Sequence, residues 1–332
     1  MLSRFLYHRL RVVAFITLVA TCLLLTASFG FHQPMTAAPW YPSMNRKHPK
    51  AKTAPTVEQA ITIPKKMWYK LGPKGLSELT RGWTDRCIDM NPGYEVVFMT
   101  DSSAARWVEN TYGKSHPELV KMFHGLKVPI FKADILRYLL LYTHGGVYND
   151  LDVECKVPVD EWIPAEFQNK TSLVVGWEFD YGWGDNILRE FETWTIAAAP
   201  QSPHMWRVVE DTMAGFRKIM EENKVSVENV TLKMSGDVVD ATGPRRFTRG
   251  VFSSLGEKFN STETEVQNLM EPKLLGDVLV LPGYSFAATS NRYGDRELPP
   301  PLVVHQYAGS WKNANGGESL WRRNRMPSGQ SD

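Results

Sequence analysis

Apolar positions in this chain fall into two patterns. Short unbroken runs at residues 94–99 (YEVVFM), 147–153, 172–177 (SLVVGW) and 278–281 (VLVL) have the length and residue types of buried strands. Longer segments repeat apolar residues at helical spacing. Residues 102–112 open on Ser102, an N-cap option, and residues 130–142 keep Ile135, Leu136, Leu139 and Leu140 on one side before Gly145-Gly146 stops the run. A third such segment covers 203–220. Strands alternating with helices predict an α/β fold: a mostly parallel central sheet with helices on both faces, where ligands gather at the carboxyl ends of the strands. No repeat or second linker interrupts residues 58–312, which read as one domain.

The N-terminus follows another pattern. Residues 12–31, VVAFITLVATCLLLTASFGF, carry no ionisable side chain over about the 20 residues that a membrane-spanning helix needs. Arg4, Arg9 and Arg11 precede the run, so residues 1–11 are expected in the cytosol and the remainder in the lumen, as a single-pass type II protein. A cleaved signal peptide is the competing reading, with Thr26, Ala27 and Ser28 as small residues for cleavage; the length of the run favours a signal anchor. Residues 32–57 interleave Pro34, Pro39, Pro42, Pro49 and Pro55 with basic residues and read as an extended stem. Residues 313–332 read as a flexible tail. Asn169-Lys-Thr, Asn229-Val-Thr and Asn260-Ser-Thr are candidate N-glycosylation sites in such a compartment.

Charge and cysteine content narrow the classes. A formal net charge of +2 over 332 residues lacks the concentrated basic field of a nucleic-acid binder. Of three cysteines, Cys22 lies in the apolar run, leaving Cys87 and Cys155 either as a bridge or as two buried thiols.

The chemistry concentrates in residues 132–154, KADILRYLLLYTHGGVYNDLDVE. Asp134 and Arg137 lie three apart on a helix, on a face the apolar residues leave open, and so point together into a cleft; alternatively they form a surface ion pair. Asp150 and Asp152, two apart, project from one side of a strand end. Converging carboxylates repel each other, and a divalent cation neutralises both while keeping coordination positions open for phosphate oxygens. Asp-x-Asp is on these grounds a diphosphate site, with a solvated acidic loop as its bland counterpart. Glu178 and Asp180, after the VVGW strand, either face an acceptor or end a strand in solvent. Thr242-Gly243-Pro244 is a turn by its own chemistry.

These residues stand among collinear matches: Ile63-Pro64-Lys65, Asn91-Pro92-Gly93-Tyr94, Trp194-Thr195-Ile196 with Pro200 and Pro203, Thr242-Gly243-Pro244 with Phe247-Thr248, Asp277-Val278-Leu279 with Pro282, and His305 with Gly309-Ser310-Trp311-Lys312. Over most of residues 58–312 the chain resembles the fungal Asp-x-Asp glycosyltransferase family 32, which includes the initiation-specific α-1,6-mannosyltransferases of N-glycan outer chains. More distantly it is similar to clostridial glucosylating toxins. The resemblance implies a GT-A-type fold, a Golgi membrane location, GDP-mannose as donor, Mn²⁺ or Mg²⁺, and retention of anomeric configuration. By position, it implies that Asp134 and Arg137 bind the donor sugar, Asp150 the ribose or sugar, and Asp152 the metal, with Asp150 and His305 as further ligands. His305 as a hydrogen-bonded interior residue is the alternative. Acceptor contacts through Thr242 and Gly243 are likewise implied by the resemblance.

Three departures stand out. Leu71 occupies the place of a tryptophan that stacks on the nucleotide base in relatives, and Trp68, three positions earlier, is the substitute candidate. Asn149 and Ala241 are smaller departures that bear on acceptor preference. The expected acceptor is a mannose of protein N-linked glycans. Inositol phosphorylceramide glycolipid is one alternative, disfavoured because no second long apolar run exists, and a non-catalytic accessory subunit of a Golgi mannosyltransferase complex is another.

Overall fold

Glycine and proline set the edges of the central elements. In the computed structural model, which describes residues 61–308, Pro129 opens a helix at its first turn, where its missing N–H costs nothing, and Gly145 closes it at φ +65°. A Cβ at Gly145 would meet the Ala198 carbonyl oxygen at 2.7 Å, and one at Gly146 (φ +97°) the Lys66 carbonyl oxygen at 2.5 Å. Only glycine permits the next strand to start so close to its neighbours. The anchor, stem and tail segments lie outside the described residues. Among those described, no helix is long and apolar enough to cross a membrane.

The strands in chain order are β1 (Lys66–Lys70), β2 (Glu95–Met99), β3 (Gly146–Asn149), β4 (Val153–Cys155), β5 (Leu173–Phe179), β6 (Glu190–Phe191), β7 (Thr195–Ala198), β8 (Lys273–Leu275), β9 (Val278–Leu281) and β10 (Val303–His305). The helices are α1 (Glu78–Met90), α2 (Asp101–Tyr112), α3 (Pro117–Gly125), α4 (Pro129–His144), α5 (Pro203–Asn223), α6 (Leu232–Ser235), α7 (Val238–Ala241), α8 (Pro244–Phe259) and α9 (Gly283–Ala287). The main sheet runs β2-β1-β3-β7-β5-β9-β8, with β6 beside β5.

An α/β fold with a central sheet is present, but the sheet is mixed rather than mostly parallel. The β1/β2, β1/β3 and β5/β9 pairs are parallel, whereas β3/β7, β5/β7, β5/β6 and β8/β9 are antiparallel. The physical cause is the segment from Asp180 to Trp194: it contains no helix, and without a crossover element the chain leaving β5 returns antiparallel to it as β7.

Apolar cores lie on both faces. One holds Phe131, Leu136, Leu140, Ile196, Val208 and Phe247 under α4, α5 and α8. The other holds Met67, Val147, Val174, Trp162, Leu279 and Phe286 under α1, β4 and α9. Cys87 of α1 and Cys155 of β4 are bridged, with Cα atoms 4.8 Å apart, which resolves the two readings of the cysteines. Helix α2 begins one residue before the expected segment because Thr100, not Ser102, is its N-cap, in a capping box with Ser103.

The run 147–153 is not one strand. After Asn149 the chain turns, closed by Val153 N–H to the Asp150 carbonyl at 3.1 Å, and Val153–Cys155 joins β10 in a separate antiparallel sheet. Asp150 and Asp152 therefore sit on a turn between two sheets, not on one side of a strand.

Candidate active site

Helix α4 is buried almost all round, including Asp134 and Arg137. The face expected to open onto a cleft is instead covered by Thr242 and by the segment before β7. Arg137 Nη2 donates to Asp134 Oδ1 at 2.8 Å, and the Thr242 hydroxyl donates to Asp134 Oδ2 at 2.6 Å. Both carboxylate oxygens are thus engaged within the protein. Burial pushes Asp134 above the usual carboxylate range, partly offset by Arg137 and Thr242. Thr242 is held between α7 and α8, and its carbonyl accepts the Tyr138 hydroxyl at 2.7 Å. Gly243 then caps α8 ahead of Pro244. These two residues, expected on the acceptor side, lie at the buried end of the Asp134–Arg137 network: Thr242 donates to Asp134, and Gly243 begins a helix.

Arg137 is the hub. Its Nη1 donates to the Thr193 carbonyl, its Nη2 lies 3.6 Å from Asp150 Oδ1, and its guanidinium sits 4.8 Å from the Tyr148 ring centre. Burial opposes the charge, but Asp150, Tyr148 and Asp134 outweigh it and keep the group firmly protonated. Its Nε has no partner within the protein, leaving one buried donor for something else.

In the turn, Asp150 Oδ1 accepts the Tyr148 hydroxyl at 3.0 Å, and the Asp150 N–H donates to the Trp194 carbonyl at 2.8 Å. Asp152 Oδ2 accepts the Ala308 N–H at 2.9 Å and lies 3.3 Å from His305 Nε2. The two carboxylates are driven in opposite directions. Burial, with the charge of Asp152 adding to it, pushes Asp150 up against the pull of Arg137. Burial also works against Asp152, but the hydrogen bond and charge of His305 and the Ala308 N–H hold it below the usual range. The His305 ring stacks on Trp194, centroids 4.2 Å apart and 13° between planes.

Among the described residues no group of three or more His, Cys, Asp and Glu side chains is placed to hold a metal ion. Asp152 and His305 are together, while Asp150 is directed to Tyr148 and Arg137. The expected three-residue set is therefore two residues with a third nearby. That smaller set still fits a hard divalent cation, because Mg²⁺ and Mn²⁺ take most of their shell from phosphate and water when only one or two side chains bind them.

The sequence names Trp194-Thr195-Ile196 only as a match and gives no site role to the segment Glu192–Thr195, which floors this site. Thr193 and Trp194 supply the carbonyls that hold Arg137 and Asp150, and Glu192 closes the segment through an accepted bond from the Thr195 N–H at 2.8 Å. The available signal was Glu192, the single charged residue in the largely uncharged run FETWTIAA.

Other expected residues lie elsewhere. Trp68 is 3% exposed in the middle of β1, its indole N–H bonded to the Gly145 carbonyl at 2.9 Å, so it is a core residue without a free face for a base. Asp180 is fully buried and takes the Arg189 Nε–H at 2.8 Å and the Asn268 N–H at 2.9 Å, a pin between loops rather than an acceptor contact. Glu178 is buried at the end of β5, where its charge faces Glu192. Asn149, one of the departures, is fully buried on β3 opposite Thr195. Asn169, Asn229 and Asn260 are all exposed.

Residues 77–168 match the family model described as glycosyltransferase sugar-binding region containing DXD motif. The chain is similar to the initiation-specific alpha-1,6-mannosyltransferase of Schizosaccharomyces pombe, 31% identical over 76% of this chain and 64% of that protein. It is also similar to the protein of that name from Candida albicans, 29% identical over 77% of this chain and 74% of that protein. A shorter match, 33% identical over 31% of this chain and 28% of the relative, is to inositol phosphoceramide mannosyltransferase 3 of Schizosaccharomyces pombe. The chain thus spans a little less than two thirds of the length of the first of these relatives.

Proposed function

We propose, from the premise that this chain carries the sugar-binding region of the DXD glycosyltransferase family at residues 77–168, that the protein is a metal-dependent, retaining α-mannosyltransferase. In this reading it moves mannose from GDP-mannose to a mannose of protein N-linked glycans, with α-1,6 linkage. One observation carries the reading: the chain Thr242–Asp134–Arg137–Asp150 starts in the core and ends at the partly exposed turn that also carries the Asp152–His305 pair.

The roles follow from which groups have capacity left. Asp134 has both oxygens occupied by Thr242 and Arg137, so it orients the guanidinium rather than touching sugar. Arg137 keeps its unpartnered Nε–H for a donor hydroxyl or phosphate oxygen. Asp150, 31% exposed in its side chain, accepts from a ribose or sugar hydroxyl. Asp152, held ionised by His305 and the Ala308 N–H, and His305 itself would hold the divalent cation. Such a cation neutralises charge developing on the departing diphosphate. Tyr148 and Arg137 hold Asp150 in place on the sugar side of the site.

The N-glycan acceptor is favoured over a glycolipid because similarity to the α-1,6-mannosyltransferases extends over about three quarters of this chain, whereas the inositol phosphoceramide enzyme aligns with under a third. The apolar run 12–31 behind three arginines supports a type II Golgi membrane protein with the catalytic domain luminal, and the exposure of Asn169, Asn229 and Asn260 is compatible with luminal glycosylation.

The test is turnover by the purified full chain with GDP-mannose, UDP-glucose and UDP-galactose, each with Mn²⁺ and with chelator. The expected result is hydrolysis and transfer of GDP-mannose alone, lost with chelator. Metal-independent turnover, or none with any donor, would favour a non-catalytic accessory role.

A further inference from the structure

Glu192 is the one acidic side chain in the floor of the site that the proposed function leaves without a part. It is fully buried; its Oε2 accepts the Thr195 N–H at 2.8 Å, and its Oε1 has no partner within the protein. Its own N–H donates to the Gly176 carbonyl at 2.9 Å, which ties the start of the segment to β5. Between the two ends of this closed loop, the carbonyls of Thr193 and Trp194 turn outward. The first accepts from Arg137 Nη1, and the second accepts the Asp150 N–H at 2.8 Å. Trp194 also donates its indole N–H to the Phe286 carbonyl at 3.2 Å and stacks on His305. The Glu192 side-chain bond therefore helps to close a loop that touches Arg137, Asp150 and His305 together.

We propose that Glu192 is a positioning residue of the transfer site, its carboxyl closing the loop 192–195 whose carbonyls hold Arg137 and the backbone of Asp150. The inference rests on the proposed transferase function and assigns a part to a residue outside the Asp-x-Asp motif.

The surroundings determine the form in which the carboxyl acts. Glu178 on β5 and Asp150 in the turn face it with negative charge; Arg137 on α4 is the positive group, and it is already shared among Asp134, Asp150 and Thr193. A carboxylate buried with a single N–H donor is poorly satisfied, whereas the neutral acid needs far less. Burial accordingly drives Glu192 well above the ordinary carboxyl range, only partly countered by the Thr195 N–H. Loop closure needs an acceptor oxygen and no charge, and the amide of glutamine supplies that.

The experiment compares Glu192→Gln and Glu192→Ala with the parent as full chains. For GDP-mannose turnover, the Gln variant is expected to keep kcat and KM within about threefold, while the Ala variant raises KM by about tenfold or more as Arg137 and Asp150 lose their support. A Gln variant that keeps KM but loses kcat by about a hundredfold would overturn the proposal, because the carboxylate would then act on the sugar itself. A second arm needs no donor. With the folded-state pKa raised, the unfolded parent releases a proton that the folded parent keeps, so the parent loses stability as pH rises above the ordinary carboxyl range. The melting temperature of the Gln variant minus that of the parent should therefore grow between pH 5 and pH 8. A gap that does not change with pH overturns neutral closure. If the parent turns over no nucleotide-sugar at all, the functional reading fails while the pH arm still decides the state of Glu192.

Discussion

The helix pair Asp134–Arg137 and the turn pair Asp150–Asp152 are close in the chain and adjacent in space, yet the protein treats them in opposite ways. On α4 both side chains are 4% exposed, and their charges are answered by each other, by Thr242 and by the Thr193 carbonyl. In the turn the side chains of Asp150 and Asp152 are 31% and 17% exposed, and their protein partners leave room for more ligands. The first pair is nearly complete when the protein folds, with only the Arg137 Nε–H left over. In the proposed function the second is completed by the cation and donor it binds. Residues that look equivalent in an acidic motif thus divide into a scaffold and a working pair, and the divide follows how many of their polar atoms the fold has already used.

The largest effect that sharpens this contrast is expected from Asp134→Ala. It removes the partner of both Arg137 Nη2 and the Thr242 hydroxyl inside the core, and breaking a buried pair from one side costs about 3–5 kcal/mol. Urea unfolding should show that loss, together with loss of turnover. An unfolding midpoint within error of the parent would erase the distinction between the pairs.

Next come Asp150→Asn and Asp152→Asn, each expected to lower transfer by about a hundredfold or more but to move stability in opposite directions. Asp152 has a depressed pKa, so its ionised form stabilises the fold above the ordinary carboxyl range and that support fades as pH falls through the folded value. Asp150 has a raised pKa, so its contribution falls as pH rises from the ordinary range towards the folded value. In chelator at pH 7, melting should therefore drop in Asp152→Asn and rise in Asp150→Asn. Shifts of the same sign would show that the two carboxylates are not differently supported.

The smallest effect belongs to Trp68→Phe. It strips one N–H from the buried Gly145 carbonyl, worth about 1 kcal/mol, and should leave the KM for GDP-mannose unchanged. A raised KM would put Trp68 back at the nucleotide base.

Much of this was legible in the chain. The run 278–281 is strand β9 to the residue, and Gly145-Gly146 ends α4 as its chemistry dictates, because local patterns encode local geometry. What failed was long-range. The antiparallel placement of β7 depends on which strand the returning chain meets, and no periodicity within residues 195–198 records that. The sequence puts Asp150 and Asp152 on one strand because 147–153 reads as a continuous strand-like run; the turn appears only when β4 finds β10 far along the sequence. Trp68 reads as a base-stacking candidate because it stands near the position of a stacking residue, while its place on a central strand makes it core. Glu192 left one trace, a lone charge in an uncharged stretch, and its meaning needed the partners that three other elements bring to it.

The most direct test of the divide between scaffold and working pair is calorimetric titration of GDP-mannose, with and without Mn²⁺, into the full-length parent and Asp152→Asn. The account predicts binding to the parent that requires Mn²⁺ and is lost in a variant that still melts cooperatively. Equal binding by both proteins, or binding to the parent that ignores the metal, would contradict it.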